Sequence, residues 1–164
     1  MASTRPATDL RARDVMTADV LSAHPEWSIE HLANFFIEND ISGAPVTDDE
    51  GRLRGVVSMT DITMHSGVAG ETTPRPKSHK RYHLALEGEY SDEDLKAMRS
   101  EAWTTASVAD IMTPMVFDVS ENAPVQDVAD TMIRGRIHRV LVTRDSELVG
   151  IITALDLLEV VRDL

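Results

Sequence analysis

The chain has 164 residues, a formal net charge of −12 and no cysteine. The negative charge argues against a nucleic-acid partner, because phosphate backbones require a basic protein face. The absence of cysteine excludes disulfides and thiolate chemistry. The length allows one compact domain or two very small ones, with an ordinary apolar content of 42%. There is no apolar signal segment and no run long enough to span a bilayer, so we expect a cytoplasmic protein without a membrane partner.

The first part of the chain predicts a short arm followed by a structured unit. Residues 1–12 are polar and small and predict a flexible N-terminal arm. The unit covers residues 13–65, opens with the motif Asp-Val-Met-Thr at 14–17, and continues into a short predicted strand at 20–21. From Ile29 onward, apolar residues recur at i, i+3, i+4, i+7 and i+8, which predicts one helix with a single apolar face.

The rest of this unit predicts a hairpin and a second helix. An apolar segment at 41–46 and another at 53–58 are separated by turn residues at 48–51. Two such segments around a polar turn are typical of paired antiparallel strands. A helix is expected to follow directly, from Met59 to about His65.

Residues 109–164 repeat this pattern and form a second predicted unit. The opening motif returns at 110–113, which is 96 residues later, and the helical stripe returns behind Pro124. The segment Gly-Val-Val-Ser-Met-Thr-Asp at 55–61 returns as Gly-Ile-Ile-Thr-Ala-Leu-Asp at 150–156. The chain is therefore an internal duplication of a strand–helix–strand–strand–helix unit, and its fold class is α+β.

The linker at 66–108 has no counterpart in either unit. Its first part is rich in Gly, Pro and basic residues and predicts a loop, and a capping-box pattern from Ser91 predicts one extra helix. His79 and His83 have the spacing of metal ligands on a helix. Because a nearby proline and basic side chains disfavour a cation there, we expect no metal site.

The repeated segment is also the candidate binding motif. Ser58 and Thr153 lie where a strand passes into a helix, and both are residue types that cap helix N-termini. A helix N-terminus suits phosphate, and an aspartate in its first turn can accept hydrogen bonds from a ribose diol. Asp61 and Asp156 occupy that position. They could instead serve only as first-turn acids of the capped helices, but their recurrence in matching contexts favours a ligand.

The opening Asp-x-Met-Thr, the Ala-Pro-Val strand and the G-h-x-S/T-x-x-D ending resemble the cystathionine-β-synthase (CBS) domain, where h is an apolar residue. The resemblance covers about 13–65 and 109–163, and the pair resembles a Bateman module. It implies two pseudo-symmetric units packed as one module. It further implies that AMP, ADP, ATP or S-adenosylmethionine binds in two clefts between the domains. The implied role is regulatory, as a sensor of energy state. It implies no catalysis and no cofactor.

The resemblance also implies roles for individual residues. Asp61 and Asp156 would hold ribose hydroxyls, with Ser58, Thr60 and Thr153 close to the ribose or phosphate. The phosphates at the Asp61 site would meet two side chains from the turn of the other repeat, His138 and Arg139. The apolar adenine slot would be formed at the Asp61 site by Val116, Phe117 and Ile137, and at the Asp156 site by Val20, Ile41 and Ala44, with Thr17 nearby.

Two rival hypotheses remain beside the nucleotide sensor. One is a sensor of S-adenosylmethionine or another adenosyl ligand, and the other is a dimerisation scaffold that binds no ligand. No catalytic constellation is present in the sequence, so we do not expect an enzyme. The last helix carries a broad apolar arc, which predicts a homodimer; the arc comprises Leu157, Leu158, Val160, Val161 and Leu164. The sequence does not identify the regulated protein.

Overall fold

The computed structural model of the chain describes residues 9–66, 105–114 and 116–163. The extra helix predicted from Ser91 and the pair His79 and His83 lie outside the described residues. Within the described ranges the helices and strands are, in chain order, α1 (Ala12–Val15), α2 (Ile29–Asn39), β1 (Gly43–Thr47), β2 (Leu53–Ser58), α3 (Met59–His65), α4 (Val108–Ile111), β3 (Asp118–Ser120), α5 (Val125–Gly135), β4 (Arg139–Arg144), β5 (Glu147–Thr153) and α6 (Ala154–Arg162).

The two α+β repeats are present as predicted. Helix α2 begins after Ser28, whose Oγ accepts the His31 N–H at 3.1 Å, and its apolar stripe is buried. Strands β1 and β2 form an antiparallel pair, closed by a turn in which Gly51 has a φ of 75°. Strands β4 and β5 pair in the same way in the second repeat. Both long helices end in a left-handed residue, at Asp40 and Arg136, so the repeats correspond even in their helix termini.

The first strand of each repeat is not where the sequence predicted it. No strand forms at 20–21 in the described chain; instead Ala23 makes an isolated parallel bridge to Val46. The small, buried Ala23 fits against that strand, whereas the larger Leu21 remains exposed. In the second repeat the strand is β3, parallel to β4, and it begins just after 116–117, the residues that correspond to 20–21 at the 96-residue offset.

The chain forms two compact units whose limits cross the sequence repeats. Unit 1 contains residues 1–20 and 117–164, and unit 2 contains residues 21–116. Each unit therefore combines the helix, hairpin and second helix of one repeat with the opening segment of the other. This exchange does not follow from the periodicity of the sequence, which reports only local structure.

In both units the exchanged segment pairs with the last strand of the hairpin. In unit 2, Thr113 and Val56 exchange two backbone hydrogen bonds of 2.8 and 2.9 Å. In unit 1, Thr17 and Ile151 exchange two of 2.9 and 3.0 Å. The same segments also form the short helices α1 and α4, which the sequence did not predict. Ala12, at the end of the predicted arm, is fully buried as the first residue of α1.

The close approach of these segments explains the glycine that begins each repeated motif. A Cβ at Gly55 would lie 2.5 Å from the backbone oxygen of Thr113, a distance that no real contact reaches. A Cβ at Gly150 would first meet the side chain of Met16. Backbone cannot yield without breaking the strand pairing, whereas the end of a methionine side chain can rotate away. The two glycines are thus required to different degrees.

We therefore expect Gly55→Ala to destabilise the protein more than Gly150→Ala. The overpacked backbone contact at Gly55 should cost about 1–3 kcal/mol of unfolding free energy, and the contact at Gly150 less than about 1 kcal/mol. Urea unfolding followed by far-ultraviolet circular dichroism measures both. Equal losses would show that the Thr113 segment does not cross strand β2 as closely as described.

Candidate functional site

The Ser58–Asp61 motif forms a reciprocal capping box at the start of α3. Asp61 Oδ2 accepts the Ser58 N–H at 2.9 Å and the Ser58 hydroxyl at 3.0 Å, while Ser58 Oγ accepts the Asp61 N–H at 3.4 Å. Both residues are buried, and Asp61 is only 5% exposed. The box satisfies backbone donors that would otherwise lack partners at the helix start.

The Thr153–Asp156 motif forms the same box at the start of α6. Asp156 Oδ2 accepts the Thr153 N–H at 2.7 Å and the Thr153 hydroxyl at 2.9 Å, and Thr153 Oγ1 accepts the Asp156 N–H at 3.3 Å. This second box is only partly buried. The interpretation of Ser58 and Thr153 as helix caps is confirmed in both repeats.

Capping does not use the whole carboxylate. All the capping bonds of Asp61 and Asp156 involve Oδ2, so Oδ1 takes no part in either box. A comparable box at Ser107 lowers the pKa of Asp110 below its usual value, chiefly through the Ser107 backbone N–H and also through its hydroxyl. Hydrogen bonds of this kind favour the charged form of a carboxyl group. Each of the two boxes at Asp61 and Asp156 fixes the orientation of its aspartate through Oδ2.

The start of each hairpin lies directly beside a capping box. The Ser42 carbonyl accepts the Met59 N–H at 2.9 Å, and the His138 carbonyl accepts the Ala154 N–H at 2.8 Å. In unit 1 this places Arg139 opposite Thr153 across the strand pair. In unit 2 the matching residue opposite Ser58 is Gly43.

Of these two strand pairs, the one in unit 1 places a cation opposite the capping residue and the one in unit 2 places a glycine there. The sequence assigned His138 and Arg139 to a ligand at Asp61, a residue of unit 2. That assignment stays a prediction. What the structure adds is that Arg139 and Thr153 are neighbours within one unit.

Sequence reasoning missed one residue near the boxes, Thr113. It is 1% exposed, and its Oγ1 has no hydrogen-bond partner among the described residues. Because Thr113 pairs with Val56, its side chain lies on the same face of strand β2 as that of Ser58, two residues on. The internal duplication could have identified Thr113, because it is the counterpart of Thr17, which was proposed as a site residue.

The structure divides the predicted site residues between the two units. Unit 2 contains Ile41, Ala44, Ser58, Thr60, Asp61 and Val116. Unit 1 contains Thr17, Val20, Phe117, Ile137, His138, Arg139, Thr153 and Asp156. Two of the predicted adenine-slot residues, Ala44 and Ile137, are buried in the core of their own units. Core packing is sufficient to explain both.

Two further features of the described residues bear on function. Across residues 9–66, 105–114 and 116–163, His, Asp and Glu side chains nowhere gather in a group of three that could hold a metal ion. In the same ranges every helix is too short or too polar to cross a membrane.

Comparison with known proteins identifies the family. The family model of the CBS domain matches residues 12–66 and 108–163. The chain belongs to the CBS domain family. Its two matched segments make it a CBS domain pair.

Relatives of this CBS pair support the same assignment. An uncharacterized protein of Methanocaldococcus jannaschii is 30% identical over 155 residues, covering 90% of this chain and 88% of that protein. The crystal structure of CBSX2 in complex with AMP is similar with a TM-score of 0.62 at 22% identity, covering 93% of this chain and 96% of that one. The CBS domain pair of protein MJ0100, in complex with 5′-methylthioadenosine and S-adenosyl-L-methionine, gives 0.59 at 22% identity, covering 94% and 97%. These two structures share the fold.

Removal of the capping carboxylates should destabilise the unliganded protein unequally. Asp61→Ala leaves the buried Ser58 N–H and hydroxyl without an acceptor, so we expect a loss of about 1–2 kcal/mol of unfolding free energy. Asp156→Ala exposes its donors to water and should cost about 1 kcal/mol or less. Asp110→Ala is the matched control, because it removes the same kind of box at an exposed position. Urea unfolding at neutral pH measures all three, and a larger loss for Asp156→Ala would contradict this account of burial.

Proposed function

We propose that this CBS domain pair is a non-catalytic regulatory module that binds adenine nucleotides and transmits their level to a protein partner. The observation that carries the proposal is the pair of capping boxes, each of which holds an aspartate with one carboxylate oxygen outside the box. A vicinal diol such as ribose offers two hydroxyl donors to an acceptor of this kind. The structure of CBSX2, a protein of the same fold, contains AMP, which supports an adenosine ligand.

Residues beside the boxes supply further ligand groups. In unit 2 the buried Thr113 hydroxyl gains a partner if a ligand hydroxyl or ring nitrogen reaches it, which removes the penalty of an unsatisfied buried group. In unit 1 Arg139 lies opposite Thr153, at the N-terminal end of α6. A cation at that end opposes the helix dipole, whereas an anion there is stabilised by both the helix and the arginine. Arg139 therefore favours a phosphorylated ligand.

A second candidate ligand fits unit 2 better than a phosphorylated nucleotide. The position that Arg139 occupies in unit 1 is Gly43 in unit 2, so the Ser58 box lacks that cation. An adenosyl ligand without phosphate would use the aspartate and Thr113 alone. The MJ0100 pair holds 5′-methylthioadenosine and S-adenosyl-L-methionine, which supports this alternative for one of the two sites.

Calorimetry with AMP, ATP, adenosine and S-adenosylmethionine tests the function and ranks the ligands. A ligand that binds only the folded protein adds about 2.7 kcal/mol of stability at a hundred times its dissociation constant. For a chain of this length the melting temperature should rise by about 5–10 °C. The resemblance implies that Asp61→Ala removes most of the shift given by AMP and Asp156→Ala a smaller part. The position of Arg139 opposite Thr153 implies the reverse order, so the two variants decide between these assignments. The control Asp110→Ala should retain the whole shift.

The outcomes separate the hypotheses. No shift with any of the four ligands in the unaltered protein would refute the sensor and favour the ligand-free scaffold. A shift with S-adenosylmethionine alone would favour the adenosyl sensor. If Asp156→Ala abolishes the AMP shift and Asp61→Ala does not, the phosphorylated nucleotide belongs to the box beside Arg139.

Charge reversal tests whether Arg139 contacts phosphate. Arg139→Glu should weaken AMP binding by roughly ten- to a hundredfold, the effect of about 1.5–3 kcal/mol for a charge-assisted hydrogen bond, and leave adenosine binding nearly unchanged. Arg134→Glu, at an exposed position of α5, controls for the change in net charge. Equal losses for AMP and adenosine would instead indicate damage to the fold.

We also propose that the module is a homodimer formed through α6. Leu155, Leu158 and Val161 lie on one side of this helix and are 71%, 61% and 61% exposed. An apolar stripe of this kind on a surface helix is typical of a protein interface, and a second copy offers the same stripe. Of the predicted arc, Leu158 and Val161 belong to the exposed stripe, Leu157 and Val160 are half-buried, and Leu164 lies outside the described residues.

The dimer has a direct test in solution. Leu158→Glu should convert a dimer into a monomer at micromolar concentration, because two buried carboxylates would face each other across the two-fold axis. Leu21→Glu changes an exposed leucine elsewhere and should leave the dimer intact. Sedimentation equilibrium measures the mass of each. A monomeric unaltered protein would refute the proposal.

A further inference from the structure

A pocket in unit 2 lies apart from the capping box of that unit. We call it the Trp27 pocket; its volume is about 470 Å³ and it is lined by Ser22, Ala23, His24, Trp27, Thr47, Asp48 and Asp49. This volume is within the range of small-molecule sites. The pocket lies where β1 ends and the turn begins, whereas Ser58 pairs with Gly43 at the other end of β1. Four residues of strand separate the two places by about 13 Å, so the pocket is distinct from the proposed nucleotide site.

The polar atoms around the pocket are mainly acceptors. Glu26 N–H donates to His24 Nδ1 at 3.2 Å, so the imidazole proton is on Nε2, which donates to Asp49 Oδ1 at 3.0 Å. The Asp49 side chain is 91% exposed, and its Oδ2 takes no part in this bond. The hydroxyl of Thr47 donates to Ser22 Oγ at 2.9 Å, which leaves lone pairs on both oxygens.

The second carboxylate of the pocket, Asp48, uses only one of its two oxygens to hold the hairpin turn. Its Oδ1 accepts the N–H groups of Glu50 and Arg52 at 3.1 and 3.0 Å and so holds the turn. Its Oδ2 is 3.8 Å from Nη1 of Arg54, whose side chain is 56% exposed, and an ion pair of this length contributes little. Among the residues that the structure describes, the lining contains neither lysine nor arginine.

At the equivalent strand end of unit 1 the corresponding side chain carries a guanidinium group. There Thr143 Oγ1 donates to Asp118 Oδ2 at 2.7 Å, which corresponds to the bond between Thr47 and Ser22. The next residue is Arg144, where unit 2 has Asp48. Arg144 donates from Nε and Nη2 to the two oxygens of Glu121, both at 2.7 Å.

This bidentate pair links the end of β4 to the residue that follows β3. The Arg144 guanidinium holds the pKa of Glu121 below its usual value. In unit 2 the residue equivalent to Glu121 is Pro25, since the carbonyls of both accept an N–H from the exchanged opening segment, at 3.0 Å from Arg13 and 2.9 Å from Ala109. Unit 2 thus lacks both members of the pair: Asp48 stands in place of Arg144 and Pro25 in place of Glu121.

We propose that the Trp27 pocket binds a guanidinium or primary ammonium group on a short alkyl chain. The cation takes the place that Arg144 fills in unit 1 and donates to the Asp49 carboxylate and to the Ser22 and Thr47 hydroxyl oxygens. A planar guanidinium matches several acceptors at once. The Trp27 indole forms an aromatic wall that attracts a cation and packs against its alkyl chain.

Tryptophan fluorescence and agmatine test the proposal. In a Trp103→Phe background Trp27 is the single tryptophan of the chain, so its emission reports on the pocket. Agmatine titrated at constant ionic strength should give a saturable change with a dissociation constant below about 10 mM. N-butylurea, which is neutral and of similar shape, should give none. Calorimetry on the unaltered chain repeats the comparison independently of the Trp103 substitution.

Matched variants locate the binding. Asp49→Asn should raise the dissociation constant of agmatine about five- to tenfold, as expected for the loss of one charged acceptor. Asp145→Asn, at the equivalent turn position of unit 1, should leave it unchanged. No saturation with agmatine, equal binding of N-butylurea, or equal effects of the two variants would each overturn the proposal.

The source of the cation is decided by a second probe. Acetyl-Gly-Arg-Gly-amide presents the same group on a peptide. If it binds more tightly than agmatine, the pocket recognises an arginine side chain of a protein partner. If agmatine binds more tightly, the pocket recognises a small-molecule cation and not a protein side chain. Either result supports a cation site, provided that Asp49→Asn weakens it.

Discussion

The pairing of each opening segment with the hairpin of the other repeat is the contact on which the rest of the structure depends. Thr113 joins Val56 and Thr17 joins Ile151 by reciprocal backbone hydrogen bonds, and these pairs complete the last strand of each hairpin. The approach is so close at Gly55 that a methyl group does not fit beside the Thr113 carbonyl. Because each unit needs a segment from the other repeat, neither repeat contains all of one compact unit. Each compact unit therefore depends on both copies of the repeat.

The capping boxes connect this architecture to function. A strand that ends at a serine or threonine passes at once into a helix, and the aspartate three residues later returns its carboxylate to the start of that helix. Helix capping uses Oδ2 of each aspartate, and on the proposal above Oδ1 of the same residue accepts hydrogen bonds from the ligand. The two units differ around this common element. Unit 2 adds the buried Thr113 hydroxyl, and unit 1 adds Arg139, so we expect the two sites to prefer different ligands.

The sequence was sufficient to predict the longer helices, the hairpins and the family, because all three are expressed in the spacing of residues. The apolar stripe from Ile29 and the hairpin with its polar turn depend on neighbours a few residues apart. The motif at 55–61 recurs at 150–156 with its glycine, hydroxyl residue and aspartate in place. What could not be predicted depends on contacts between segments that are not neighbours in the sequence. The exchange of opening segments is one example, and the shift of the first strand to Ala23 is another, since it depends on which side chain fits against Val46. The position of Arg139 opposite Thr153 depends likewise on the strand register.

The central claim is that the capping aspartates also hold the ribose of an adenosine ligand, and a crystal structure of the protein with AMP tests it most directly. The account predicts ribose hydroxyl oxygens within about 2.5–3.0 Å of Oδ1 of Asp61 or Asp156. It also predicts that the hydrogen bonds from Ser58 or Thr153 to Oδ2 remain in place. AMP bound away from both carboxylates, or a ribose that displaces the capping bonds, would contradict the claim.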